Sequence, residues 1–258
     1  MSVKRISDLF IRTLLVLSGL VLFAAVVLRF VVWPTVPGQI DIAHGGGAIG
    51  GLRYTNSIAA IEKSAAAGFR VIEIDIETTS DGHFVCGHDW DAYGGTAPDF
   101  ATFIANRDAV EYPSCTLGEL IAWFERNPQV TLYADIKTDV IGAAAVLATG
   151  LDGRLIVDAA APEMVCALRE AGVRRIVYST YLRPRSYAAL VDDLSHPCLT
   201  SAEATAIPLA RTLLGHALLA RVRGPVLVHT VTDCWSSRIA RFLGADALIS
   251  EMEQPDLC

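Results

Sequence analysis

Hydrophobic positions in this chain fall into two unlike patterns. Between Thr13 and Trp33 they run almost without interruption, broken by Ser18, Gly19 and Arg29. About 20 mostly apolar residues suffice to span a bilayer. The stretch 13–33 is therefore expected to be a transmembrane anchor, with Arg29 snorkelling to the interface and Trp33 in the interfacial aromatic belt. Lys4, Arg5 and Arg12 precede it, which places residues 1–12 in the cytoplasm and everything after the anchor in the periplasm or outside the cell. A cleaved signal peptide is the alternative. Against it, the run is long and closes on Arg29-Phe-Val-Val-Trp33, without an Ala-x-Ala pattern.

The second pattern begins after the stiff linker 34–38, Pro-Thr-Val-Pro-Gly. Short apolar runs alternate with segments of helical period. Strands are expected at Gln39–His44, Arg70–Glu77, Phe84–Gly87, Val130–Lys137, Arg154–Asp158, Arg174–Ser179, Cys198–Ser201, Pro225–Val231 and Ala247–Ser250. Helices are expected at Asn56–Ala67, Thr116–Arg126, Ile141–Thr149, Pro162–Ala171, Ser186–Leu194, Ile207–Ala220 and Cys234–Leu243. Thr116 and Glu119 have capping-box spacing, and Pro162 suits a first helical turn. Residues Trp90 to about Ser114 read as one long loop, either a binding insertion or a plain surface excursion. Strand–helix alternation argues for a parallel sheet with crossover helices. About eight strands in residues 39–258 favour a closed TIM-type (β/α)8 barrel over an open doubly wound sheet.

Charge narrows the function. Twenty-one Lys and Arg face 28 Asp and Glu, for a net charge of -7. No basic nucleic-acid footprint is expected. Six cysteines, at 86, 115, 166, 198, 234 and 258, contain no Cys-x-x-Cys, so a structural zinc site is not expected. Cys86 and Cys166 lie in apolar segments and read as buried thiols. Cys234 and Cys258 are the pair to test for a disulfide.

In a barrel, side chains at the C-terminal ends of the strands line the active site. Applied here, that rule collects His44, Glu73 and Asp75, His88 and Asp89, Asp135 and Lys137, and His229. Glu73 and Asp75 are two apart and share one strand face. Two acids facing inward need a cation, and a hard divalent ion, Ca²⁺ or Mg²⁺, takes oxygen ligands of this kind. Asp135 would be the third ligand. A solvated strand edge, or a salt bridge to Lys137, is the competing explanation. His83, His196 and His216 lack such neighbours and read as surface or structural residues.

Several short motifs occur in order: Ile42-Ala-His-Gly-Gly-Gly47, Tyr54-Thr-Asn-Ser57, Ile72-Glu-Ile-Asp-Ile76, Thr79-Ser-Asp-Gly82 and His88-Asp89. They resemble the His-Arg-Gly, Glu-Asn-Thr, Glu-x-Asp, Asp-Gly and His-Asp motifs of the glycerophosphodiester phosphodiesterase family. Ala134-Asp-Ile-Lys137 is similar to that family's Glu-x-Lys strand, and 228–232 and 244–250 resemble its closing segments. Phosphatidylinositol-specific phospholipase C is a related barrel that also uses two histidines.

The resemblance implies a phosphoric diester hydrolase with His44 and His88 as general acid and base. It implies a divalent ion on Glu73, Asp75 and Asp135, Lys137 on the phosphate, and a glycerophosphodiester or lipid head-group diester as substrate. Two positions depart from the family. Its Arg is Gly45 here, and its Glu is Thr55. Arg53 is expected to replace the lost positive charge, and the backbone of the Gly-rich loop from Gly45 to Gly51 to offer N–H groups to phosphate. A non-catalytic binding module on the same barrel is the rival reading, which Gly45 and Thr55 favour.

Overall fold

The structure is a computed structural model and describes residues 3–32, 40–151, 153–182, 187–212 and 224–255. Its first unit is one helix, α1 (Val3–Val32). Side chains are described there at 11–25 and 27, all of them exposed. Among the described residues no helix is long and apolar enough to cross a membrane. The expected anchor over 13–33 is therefore not supported by the fold, and Trp33 and the linker 34–38 lie outside the described residues.

The second unit covers residues 39–257 and is a barrel. Its strands are β1 (Ile40–Ala43), β2 (Val71–Thr78), β3 (Phe84–Cys86), β4 (Thr131–Ile136), β5 (Leu155–Ala159), β6 (Arg175–Ser179), β7 (Ala204–Pro208), β8 (Val226–Val231) and β9 (Ala247–Ser250). The sheet order is β1-β9-β8-β7-β6-β5-β4-β2-β3, and a β1–β2 pairing closes the ring. β3 is antiparallel to β2. The eight strands of the ring are parallel.

The described helices of this unit are α2 (Ile58–Ala67), α3 (Phe100–Arg107), α4 (Leu117–Arg126), α5 (Val140–Leu151), α6 (Pro162–Glu170), α7 (Tyr187–Leu194), α8 (Leu209–Thr212) and α9 (Cys234–Phe242). Their ends are chemically marked. Ser57 caps α2, which stops at Gly68 with φ 112°, a backbone angle that favours glycine. Thr116 and Glu119 form the expected capping box on α4.

Strand alternation sorts the core into two layers. Ile72, Ile74 and Ile76 of β2 face outward and pack with Leu120, Leu147 and Leu168 of the helices. Ile42, Val71, Tyr133, Ile156, Val177, Leu227 and Ile249 fill the barrel interior. The polar residues two positions further along those strands then stand above this apolar floor, at the C-terminal mouth.

Three expectations change. The segment Trp90–Ser114 is not plain loop: Asp99 accepts from the Thr102 N–H at 2.7 Å and starts α3. Only Phe103 of that short helix is buried, so its apolar period is faint. The strand expected at Cys198–Ser201 is a 3-10 turn, Pro197–Ser201, and the strand follows as β7. Cys86 and Cys166 are not thiols; they form disulfides with Cys115 and Cys198. Of the pair expected from Cys234 and Cys258, the second lies outside the described residues.

The Cys86–Cys115 bridge closes a loop with a sequence separation of 29. Such a loop restricts the unfolded chain enough to be worth about 3 to 4 kcal/mol. Cys86→Ser with Cys115→Ser is expected to lower the unfolding free energy by that amount in a denaturant titration. A loss below about 1 kcal/mol would show that the bridge constrains little.

Candidate active site

β2 carries Glu73 and Asp75 into the barrel, 3% and 1% exposed. Their partners across the sheet are Tyr133 and Asp135 of β4. One carboxylate oxygen from each of Glu73, Asp75 and Asp135 lies within 4.8 Å of the others. The same-face pair expected from sequence is thus joined by Asp135. Lys137, just past β4, reaches back: its Nζ lies 2.8 Å from Asp75 Oδ1 and 2.6 Å from Asp135 Oδ2. Burial opposes the Lys137 charge, but these carboxylates hold the ammonium charged and above its ordinary range. The salt bridge to Lys137 is present, and the three acids stand close enough together to hold one ion.

Glu73 is the least compensated acid. Its Oε1 is buried without a partner, while Oε2 accepts the Gly45 N–H at 2.6 Å. Burial, then Asp75 and Asp135, push its carboxyl well above the usual range, against the pull of the Gly45 N–H and Lys137. A buried carboxylate oxygen with no donor beside two further acids is the environment a hard cation relieves. The donor set therefore fits a divalent ion, with Glu73, Asp75 and Asp135 as its protein ligands. Asn56 orients Asp75 by a paired contact: its Nδ2 donates to Asp75 Oδ2, and the Asp75 N–H donates to Asn56 Oδ1, both at 3.0 Å.

The two histidines come from different loops. His44 follows β1 and lies 4.0 Å from Glu73 Oε2 through Nε2. Its Nδ1 sits 3.5 Å from Glu251 Oε1, at the limit of a hydrogen bond. His88 follows β3, half exposed, with Nδ1 2.9 Å from Asp89 Oδ2. The hydrogen bond to His88, with another from the Asp91 N–H, holds Asp89 below the usual carboxylate range. Tyr54 stands between the two rings, its centroid 4.5 Å from His44 and 5.6 Å from His88.

The departure at position 45 has a local cause. Gly45 sits at φ 57°, and a Cβ there would lie 2.9 Å from the Tyr54 Cα and 3.2 Å from its ring. The Tyr54 segment fills the space that an arginine stem needs. Arg53, on the same segment, donates to Glu251 Oε2 at 2.8 Å and is half exposed. Thr55, the other departure, has its Oγ1 2.9 Å from Ser57 Oγ at the cap of α2.

His83 stacks on Phe100 at 4.5 Å, and His196 accepts from the Cys198 N–H. His216 lies outside the described residues. Glu251, Tyr54 and Asn56 join the site without having been expected there. Glu251 directly follows β9, so the strand-end rule that found His44 also reaches it.

Fold and site together define a class: a parallel barrel whose mouth gathers three acids, a lysine and two histidines. A sequence profile of the glycerophosphoryl diester phosphodiesterase family matches residues 47–190, more than half of the chain. The chain belongs to this family, and it is a phosphoric diester hydrolase. Among solved structures it is similar to the glycerophosphodiester phosphodiesterase of Thermotoga maritima, at 17% identity and TM-score 0.62, over 85% of this chain and 97% of that one. The enzyme of Agrobacterium tumefaciens aligns at 17% identity and TM-score 0.61, over 83% and 97%. A phosphodiesterase of Oleispira antarctica, solved with the product sn-glycerol-3-phosphate, aligns at 18% identity and TM-score 0.62, over 82% and 92%. At these identities the alignments establish the shared barrel.

Proposed function

We propose that this chain hydrolyses a glycerophosphodiester, or a related lipid head-group diester, by two-histidine acid–base catalysis at a divalent-metal site. The observation that carries the reading is the convergence of Glu73, Asp75, Asp135 and Lys137 with His44 at one barrel mouth. Ca²⁺ or Mg²⁺ on the three acids would supply Lewis-acid polarisation of a phosphoryl oxygen. Lys137 gives the phosphate a fixed positive charge at the point where negative charge develops. One of His44 and His88 takes the proton from the attacking hydroxyl, and the other returns one to the leaving alkoxide oxygen. Glu251 turns the His44 ring, and Asp89 the His88 ring.

Arg53 supplies the second cationic contact that Gly45 cannot. It is held at the rim by Glu251, and its guanidinium offers a planar fork to phosphate. The Gly45 N–H is taken by Glu73 Oε2 at 2.6 Å, so it reaches a phosphate only by giving up that bond. Arg53→Ala is expected to raise KM for the diester roughly tenfold, the scale of one charged hydrogen bond, with a smaller change in kcat. Unchanged KM would remove Arg53 from the binding role.

Localisation at a membrane is part of the same proposal, with the N-terminus cytoplasmic and the barrel extracytoplasmic. It is supported by the exposed apolar side chains Leu14 to Phe23 and by two disulfides, which persist in oxidising compartments. Deletion of residues 1–38 should move the protein from the membrane fraction to the soluble one; a full-length chain that is already soluble sinks this part.

The central test is metal content together with turnover. The protein should bind a divalent ion and hydrolyse soluble glycerophosphodiesters, and chelation should stop both. Ion binding without turnover of any diester would favour a binding module on the same barrel.

A further inference from the structure

Outside the acidic cluster, two ring nitrogens at the mouth are buried without a hydrogen bond among the described residues: His44 Nδ1, which faces Glu251, and His229 Nε2. His229 lies on β8, two residues after Leu227, which belongs to the interior floor. Alternation turns it to the same side, in register with Pro208 of β7. Its Nε2 is buried without a hydrogen-bond partner. A buried nitrogen left unpaired has lost its bond to water and gained nothing in exchange. The cost is removed when a ligand supplies the partner.

The surroundings restrict that partner. Burial first, then His44, Arg211 and Lys137, depress the His229 imidazole to about 4. The ring is therefore neutral at ordinary pH and offers no charge to a phosphate. A neutral imidazole nitrogen donates or accepts a single hydrogen bond, and an alcohol hydroxyl can do either. The ring of Tyr181, 63% exposed, lies 5.5 Å from it and forms an aromatic wall. Ser179 and Asp158 stand two residues beyond Val177 and Ile156 of the interior floor and continue the polar rim toward β5. This side of the mouth is suited to an uncharged, hydroxyl-bearing group.

We propose that His229 is a specificity-determining residue that hydrogen-bonds a hydroxyl of the diester's alcohol portion beside Tyr181. The inference rests on the hydrolase reading for its substrate class, and the affinity measurement below is independent of that reading. A site built to bond a hydroxyl discriminates strongly against analogues lacking it, because its own polar group is then left unpaired.

The experiment uses the full chain, His229→Phe and His229→Gln. The first measurement is the ratio of kcat/KM for sn-glycero-3-phosphocholine to that for bis(p-nitrophenyl) phosphate, which has no alcohol hydroxyl. His229→Phe should lower the ratio roughly tenfold, the scale of one buried hydrogen bond, while His229→Gln should retain most of it. An equal loss on both substrates leaves the ratio unmoved; that marks structural damage and overturns the proposal. The second measurement is calorimetric, the affinity for sn-glycerol 3-phosphate relative to inorganic phosphate. The Phe variant should lower this ratio by a similar factor, and a ratio within twofold of the native one overturns the assignment. If the native protein hydrolyses neither diester, the proposed function fails, while the affinity ratio still decides the role of His229.

Discussion

His44→Ala and His88→Ala should each lower kcat by roughly 10²-fold to 10⁴-fold, the usual scale for a lost general acid or base. The two losses have different structural backgrounds. His44 is mostly buried between Glu73 and Glu251, so a neutral Gln there fills similar space but cannot move a proton. His88 is half exposed, with its Nδ1 2.9 Å from Asp89 Oδ2. Asp89→Asn should therefore weaken catalysis less than His88→Ala, by loosening ring orientation. His83→Ala and His196→Ala serve as controls, because their rings contact Phe100 and the Cys198 N–H. Steady-state kinetics with the fold checked by circular dichroism decides the matter. If His83→Ala were as damaging as His88→Ala in a folded protein, the site would be misplaced.

How much of this was legible beforehand depended on the kind of signal. The Glu73–Asp75 pair could be read from spacing alone, because a strand with period two fixes which side chains share a face. Strand β9 was expected at its observed bounds, Ala247–Ser250, since a short apolar run between Asp246 and Glu251 has few alternatives. Helix α4 announced itself through Thr116 and Glu119, a local contact three residues apart. Non-local facts were not accessible. No spacing pairs Cys86 with Cys115, because the pairing depends on β3 lying beside the start of α4. The collision of a Gly45 side chain with Tyr54 needs the backbone to exist first. Strand β7 was misplaced because the apolar content of Cys198–Ser201 belongs to a turn, while the strand itself, Ala204–Pro208, is rich in small residues. The barrel wall packs Ala204 and Ala206 inward, and small side chains carry little hydrophobic period to read.

Glu73→Gln combined with Asp75→Asn should abolish both divalent-ion binding and hydrolysis while the barrel stays folded. The fold tolerates the change for a physical reason. Both side chains sit above the apolar floor of Val71, Tyr133 and Ile156, and the amides nearly match the carboxylates in volume. Neutral amides in a buried acidic cluster relieve repulsion; Asp75 and Asp135 already push the Glu73 carboxyl up. Lys137 then loses Asp75 and keeps Asp135, 2.6 Å away, so the ammonium remains paired. Thermal stability without added metal should therefore change little or rise slightly, whereas the metal-linked gain in stability should vanish. For a native protein at a free-ion concentration about 100 times Kd, that gain is about 2.7 kcal/mol. Isothermal calorimetry with Ca²⁺ and with Mg²⁺, and melting curves with and without each ion, separate the two effects. The metal assignment fails if the double variant binds either ion with native affinity. It fails equally if the native protein melts at the same temperature with and without saturating Ca²⁺ or Mg²⁺.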